Sequence, residues 1–372
     1  KTMKIAIVTD PHLGSGKHKT KAENWKKLND EFIECGVQIL IVAGDAISSV
    51  NIGNKNNITP LVVEDFLAPI RKRYNEVFLI GGNHEYSVNG SALDIFGDIP
   101  GINVITKKPH IISYMLEKMG QQLNFWCCPW LPHYDFVEYF WDLHKEDYKD
   151  DINILVTHTL LKGAVAPSGF LLPGGSFNMD PDEFGGYFQH IFAGHIHKPD
   201  QYYIGSPWQN DFGEEGIKTG YILISADKDV TVARIPTEFE EYMTITIDEA
   251  RDRKFDLPKD TYYRIVGSQT AIKSLAVSMP PSENVTLTAF EDSTKKKRAE
   301  LTGKEELSDL LSIWRKLKSG AEDVSLEDMI NMPNNLLKES DWQFDFARKN
   351  VSSELPIERV KQIRLMNIGG HR

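Results

Sequence analysis

The feature that most restricts this chain is a repeated ending. Residues 5–8, 39–42, 77–80, 152–156 and 190–193 are short apolar runs with the length and composition of buried strands. They lead in turn to Thr9-Asp10-Pro11-His12, Gly44-Asp45, Gly82-Asn83-His84-Glu85, Thr157-His158 and Gly194-His195-Ile196-His197. Between the first two runs, Trp25, Leu28, Phe32 and Cys35 recur at helical spacing, and a second helix is expected over 62–74. Strands alternating with helices predict an α/β layered domain, and such sheets form their sites beyond the carboxyl ends of strands. The later runs 221–224 and 230–235 have no helix between them and predict a hairpin at a sheet edge.

The strand endings carry Asp10, His12, Asp45, Asn83, His158, His195 and His197, all of them metal-ligand types. Singly, Asp10 reads as a cap, Asp45 and Asn83 as turn residues, and His12 as an ordinary histidine. Jointly, in this order and at strand ends, they read as a metal site. Mixed oxygen and imidazole donors without cysteine suit Mn²⁺, Fe²⁺ or Zn²⁺ better than Ca²⁺ or a thiolate-held structural zinc. Seven donors exceed one tetrahedral ion and fit two ions that share a carboxylate. Such a pair would clamp a phosphate, generate a nucleophile near neutral pH and favour in-line displacement. Residues two apart on extended backbone point the same way, so Asp10/His12 and His195/His197 are each expected to face one side. Gly44, Gly82 and Gly194 are expected to permit tight turns and close backbone approach.

Charge divides the chain. Residues 246–372 hold 21 basic and 21 acidic side chains, so the whole net charge of −11 belongs to residues 1–245. No apolar run approaches the ~20 residues that span a membrane, and the start of the sequence does not read as a signal peptide. Cys35, Cys127 and Cys128 make a poor disulfide set and fit a reducing cytoplasm. Beyond residue 246 the pattern changes. Strands over 262–266 and 285–290 around a helix over 271–278 outline a small β-α-β unit. The basic run Lys295-Lys296-Lys297-Arg298 reads as a solvated loop or a phosphate-backbone contact. Leu307, Leu310, Leu311, Trp314 and Leu317 form an apolar helical stripe in the tail, and Ile357, Val360 and Ile363 form a shorter one. Either stripe suits core packing or a partner.

The blocks Asp10-Pro11-His12, Gly44-Asp45, Gly82-Asn83-His84-Glu85, His158 and Gly194-His195-Ile196-His197 resemble the calcineurin-like metallophosphoesterase superfamily. The resemblance implies a four-layer αββα sandwich, α/β in class, with a small α+β capping domain and a C-terminal helical partner-binding segment. Asp10, His12 and His197 would hold one ion, Asn83, His158 and His195 a second, and Asp45 would bridge them. His84, in the family's non-ligand position, would contact the scissile phosphate and assist the leaving oxygen.

A narrower resemblance rests on Gly205-Ser206-Pro207, Phe212-Gly213-Glu214 and Gly220-Tyr221, which look like a segment of SbcD-type nucleases. It implies a Mn²⁺-dependent DNA exo- or endonuclease, with Mg²⁺, Fe²⁺ or Zn²⁺ as other metals. The implied domains are a nuclease domain over 1–245, a DNA-binding cap over 246–295, and a linker and helical segment over 296–372. That last segment would grip an SMC-like (SbcC-type) ATPase. A homodimer through the helix after His12 or the helix over 62–74 is implied too, as is action in the cytoplasm of a cell or of a viral host. One position departs from the pattern. Ser48 stands where many relatives carry a histidine, which is expected to leave the metals untouched and to bear on how a duplex end is oriented. Two other readings are a phosphodiesterase for a small phosphoester and a non-catalytic scaffold for the ATPase. The acidic first domain predicts that DNA is held jointly with the neutral C-terminal third and a partner.

Overall fold

Parallel strands need crossovers, and the first part of the chain provides them. In the computed structural model, residues 2–290 are described except 49–59, 88–89, 131–139, 166–171, 173–178, 254 and 280–281. The chain runs β1 (Met3–Val8), α1 (His18–Glu34), β2 (Ile39–Ala43), α2 (Pro60–Leu67), β3 (Glu76–Ile80), β4 (Tyr86–Ser87), β5 (Gly90–Ser91) and β6 (Ile102–Ile105). It continues with β7 (His110–Leu116), β8 (Gln121–Cys128), α3 (Asp142–His144), β9 (Ile152–His158), β10 (His190–Gly194), β11 (Gly220–Ala226) and β12 (Val230–Pro236). Last come β13 (Glu241–Thr246), α4 (Ile247–Asp252), β14 (Thr261–Ser268), α5 (Gln269–Ser278) and β15 (Val285–Phe290).

Among the described residues one sheet has the order β12-β11-β1-β2-β3-β6, with β1, β2, β3 and β6 parallel. A second has the order β10-β9-β8-β7, with β8, β9 and β10 parallel. The strands of the first sheet are apolar on both faces. Ala6, Val8, Leu40, Val42, Val77 and Leu79 pack with Trp25, Phe32 and Phe66 of the helices. The alternate residues Ile5, Ile7, Ile39, Ile41, Phe78 and Ile80 meet Leu123, Phe125, Ile154 and Val156 of the second sheet. Two-sided burial is what a parallel sheet between layers requires. The far face of the second sheet gathers Trp126 and Leu155 with Phe184, Phe188 and partly buried Phe140 and Trp141. That gives the expected αββα order, with a fourth layer made of short turns and aromatic rings.

The hairpin β11–β12 lies at the sheet edge, as expected. The helix expected over 62–74 is shorter. α2 stops at Leu67, because Pro69 offers no amide donor and disfavours helix at the residue before it. β8 lacks a clean apolar run because Asn124 interrupts it. The Asn124 amide is buried and donates to Asn153 Oδ1 at 3.2 Å.

The small β-α-β unit is present as β14, α5 and β15, joined by β13 into a three-stranded parallel sheet over its own core of Ile245, Tyr263, Ile265, Ile272 and Leu275. It sits within the same unit as the two large sheets, Lys1–Phe290. It rests on α1, where Thr20 Oγ1 and Tyr262 Oη are 2.7 Å apart and Asn24 donates to Glu240 at 2.7 Å. It also holds the segment 209–217, since Gln209 and Glu215 accept from the Tyr242 and Thr244 amides at 2.7 and 2.8 Å. The run Lys295–Arg298 and the tail stripes lie outside the described residues. No helix among those described is long and apolar enough to cross a membrane.

Trp25 fastens α1 to α2. It is fully buried, stacks on Phe66 at 5.5 Å and donates its indole N–H to the Phe66 carbonyl at 2.9 Å. Trp25→Ala should cost about 3–5 kcal/mol, and Trp25→Phe, which removes only the donor and part of the ring, about 1–3 kcal/mol. Urea denaturation measures both.

Candidate metal centre

The site forms where the carboxyl ends of parallel strands from both sheets meet. Asp10 and His12 follow β1, Asp45 follows β2, and Asn83 and His84 follow β3. His158 ends β9, while His195 and His197 follow β10. Backbone hydrogen bonds join the first two loops, from Asp10 N to Gly44 O at 3.1 Å and from His12 N to Asp45 O at 2.9 Å. The His195 amide crosses to the Asp10 carboxylate at 3.1 Å.

The backbone here is not extended. Asp10, His12, Asp45 and His195 have φ of 55°, 48°, 50° and 87°. Left-handed turns rather than extended backbone aim these side chains: Asp10 and His12 come into one cluster, as expected, while the expectation for His195 and His197 is corrected, since they fall in different clusters. Non-glycine residues in that region carry strain on the order of 1–3 kcal/mol each, held by surrounding contacts. The glycines make room for this. A Cβ at Gly44, where φ is +91°, would lie 2.0 Å from His158 Nδ1, and one at Gly82 would lie 2.1 Å from Asp45 Oδ1.

The ligand-type side chains gather into overlapping groups. Asp10, His12 and His197 form one, Asp45, His158 and His195 another, and His12, Asp45 and His84 a third, each with donor atoms within 4.8 Å of one another. His12 Nε2 lies 3.1 Å from His197 Nε2, and His197 Nε2 lies 3.5 Å from Asp10 Oδ1. On the other side, Asn83 Oδ1 lies 2.8 Å from His195 Nδ1 and 3.1 Å from His158 Nε2. Asp45 Oδ2 stands between the groups, 3.7 Å from His12 Nε2 and 3.3 Å from His158 Nε2. Adjacent ligands with bonds of about 2.1 Å lie about 3.0–3.4 Å apart around one ion. Three of these spacings, 3.1, 3.1 and 3.3 Å, fall in that range and the others lie within a few tenths of an ångström of it, so the groups on either side of Asp45 could each hold a divalent ion.

The ring orientations fit the same purpose. His158 Nδ1 donates to the Ala43 carbonyl at 2.9 Å, which turns Nε2 inward. His197 Nδ1 donates to Glu214, again turning Nε2 inward. His12 Nδ1 lies 2.9 Å from Ser48 Oγ. Ser48 thus contacts a ligand-type ring, a contact that the sequence pattern did not announce. Glu85 is buried and accepts from the amides of Gly82, Ile47 and Asp45 at 2.8, 2.9 and 3.1 Å, tying two ligand loops together. Sequence reasoning gave no site role to Glu85 or Glu214, although both stand inside the quoted motifs.

The electrostatics call for cations. Burial opposes charge on Asp10, yet His158 and His197 hold its carboxyl down at about 2. Burial likewise opposes charge on Asp45, and His158 above all keeps its carboxyl well below the usual range. Burial also opposes charge on His158, but Asp45 and Asp10 outweigh it and raise the imidazole to about 9. His12 is pushed down to about 3 and His195 to about 4, both chiefly by burial, so these rings offer lone pairs.

Two expectations follow from this geometry. Gly44→Ala should displace His158, weaken divalent-ion binding at least tenfold by calorimetry, and cost about 1–3 kcal/mol from backbone strain alone. The second concerns pH. Folded His158 binds its proton more tightly than the unfolded value of 6.5 allows, up to about 9. Metal-free protein should therefore lose up to about 3 kcal/mol as pH rises from 6.5 to 9. A bound divalent ion, which displaces that proton, should flatten or reverse the trend. Thermal unfolding with chelator and with Mn²⁺ across this range reads both.

The chain is similar to the DNA double-strand break repair protein Mre11 of Methanopyrus kandleri, 24% identical over 284 residues, which cover 68% of this chain and 61% of that protein. Among solved structures it is similar to the purple acid phosphatase PPD1 of yellow lupin, with 13% identity, a TM-score of 0.40 and coverage of 63% of this chain and 52% of that one. An archaeal phosphodiesterase matches with 13% identity and a TM-score of 0.30, over 63% of this chain and 100% of that one. The profile of the calcineurin-like phosphoesterases matches residues 3–199, the stretch that carries every ligand-type side chain described above. The chain belongs to the calcineurin-like phosphoesterase family.

Proposed function

We propose that this chain is a two-metal DNA nuclease of the SbcD type, acting with an SMC-like ATPase in DNA end processing, repair or recombination. The observation that carries the reading is the paired grouping of ligand-type side chains about Asp45, with His84 beside it. The similarity to Mre11 supports DNA as the substrate. In this reading Asp10, His12 and His197 hold one ion, Asn83, His158 and His195 hold the other, and Asp45 serves both. Mn²⁺ suits the mixed oxygen and imidazole donors. When bound, two such ions neutralise the charge of a phosphodiester and favour in-line attack.

His84 has the position for the remaining role. Its backbone amide is fixed to Asp45 Oδ1 at 2.9 Å, while its side chain is 43% exposed and its Nε2 lies 3.8 Å from Asp45 Oδ2. The ring meets His12 edge-on at 4.7 Å. It stands at the open side of the centre, where a phosphate entering from solvent comes within reach. From there the imidazole steadies the negative oxygens and holds a proton for the departing one. His12 Nδ1 and His197 Nδ1 stay engaged by Ser48 and Glu214, so neither ring turns away as the phosphate docks.

The three-stranded sheet of β13–β15 is the DNA-capping element in this reading, and the segment 296–372 is the part that binds the ATPase. A homodimer forms through α1 or α2, where Leu61 is 59% exposed.

Purified protein with Mn²⁺ should cut linear or single-stranded DNA. His84→Ser should lower turnover about 10²–10⁴-fold while keeping its bound Mn²⁺. Equal activity of the two would refute the role of His84. Turnover on a small diester far above that on DNA would favour a small-phosphoester enzyme. Removing the chain from about residue 304 should abolish ATPase association and leave Mn²⁺-dependent cleavage; retained association would put the partner surface elsewhere.

A further inference from the structure

Lys21 lies on α1 and is only 4% exposed. Lysine is rarely so buried unless paired or hydrogen-bonded. Burial pushes its ammonium down to about 8, against the pull of Glu214 and Asp211. Its Nζ donates to Ser15 Oγ at 2.6 Å and to Asn210 Oδ1 at 2.7 Å. Each contact leads to a different histidine. Ser15 Oγ donates onward to the His12 carbonyl at 2.8 Å. Asn210, with its oxygen turned to Lys21, donates its backbone amide to Glu214 Oε2 at 2.8 Å, and its side chain lies beside the His197 ring, Nδ2 being 3.5 Å from an Nδ1 that donates to Glu214 instead. The other oxygen of Glu214 accepts from His197 Nδ1. His12 and His197 belong to the same ligand group and come from opposite sheets.

We propose that Lys21 is a positioning residue for the ion held by Asp10, His12 and His197: its ammonium clamps the loop after β1 to the segment around Asn210 and so fixes the spacing of the two imidazoles. It rests on the two-ion reading above. The other ligand group has no comparable link to Lys21 among the described hydrogen bonds, so the effect is confined to one ion. The small sheet strengthens the clamp, because it holds both α1 and the segment 209–217 through Tyr262, Gln209 and Glu215.

The test is Mn²⁺ binding by the full chain after chelator treatment, followed by calorimetry and by electron paramagnetic resonance. Wild type should bind two ions and give the spectrum of a coupled pair. Lys21→Met should weaken one ion at least tenfold, leave the other within threefold, and give the six-line signal of isolated Mn²⁺ when the second site is left empty. Lys21→Arg, which keeps charge and donors, should recover most of the lost affinity. Two ions bound by Lys21→Met with wild-type affinity, or both weakened equally, would overturn the proposal. If Lys21→Met does not fold, Asn210→Ala decides on the same criteria, since it removes the lysine's link to His197 without emptying the lysine site. A wild-type chain that binds no Mn²⁺ refutes the two-ion reading itself, a result distinct from these.

Discussion

Two carboxylates buried between two sheets govern this molecule. Asp10 is fully buried and Asp45 is 2% exposed, and an isolated charge in such a place is costly. Everything nearby serves to meet that cost. Imidazoles from four strand ends or loops turn a nitrogen toward the carboxylates, and the His195 amide donates to Asp10. The imidazoles around them can meet that charge as protonated rings, and a divalent ion bound among the same side chains would meet it too.

The outer contacts of the centre show how accuracy is obtained from backbone that is individually unfavourable. Glu85 secures the turns that bear Asp45 and Asn83, Glu214 secures His197, Ser48 engages His12, and the Ala43 carbonyl secures His158. His12, His158 and His197 thus each have one nitrogen engaged outward and one aimed inward, the pattern that fixes ring direction. Packing of the two sheets provides the rigid ends from which these turns spring.

The strand ends and their chemistry were legible because ligand types are distinctive and buried parallel strands are continuous apolar runs. The layer order followed from the same alternation. Local conformation was not legible. Nothing in Asp10-Pro11-His12 announces a positive φ, which the surrounding contacts impose. β8 escaped because Asn124 puts a polar residue in mid-strand, its amide donating to Asn153 on the neighbouring strand rather than to anything local. Glu214 acts on a histidine 17 residues away, and Lys21 looks like one more solvent-facing lysine of a charged helix until Asn210 is placed beside it. These are tertiary partners, and a linear pattern carries no trace of them. The early end of α2 was readable from Pro69 in principle, but the apolar spacing beyond it obscured the signal.

The separation along the chain of groups that meet at the centre has a consequence for time rather than for energy. His12 and His197 are 185 residues apart, and their rings spring from different sheets, so their contact is expected to follow the packing of those sheets. Closing so long a loop comes late, when nearly all other native contacts are in place. Contacts that form after the rate-limiting step leave the folding rate alone and slow unfolding instead. A divalent ion bound at this centre would therefore be a brake on opening: it would lengthen the lifetime of the folded chain without helping the chain to find its fold.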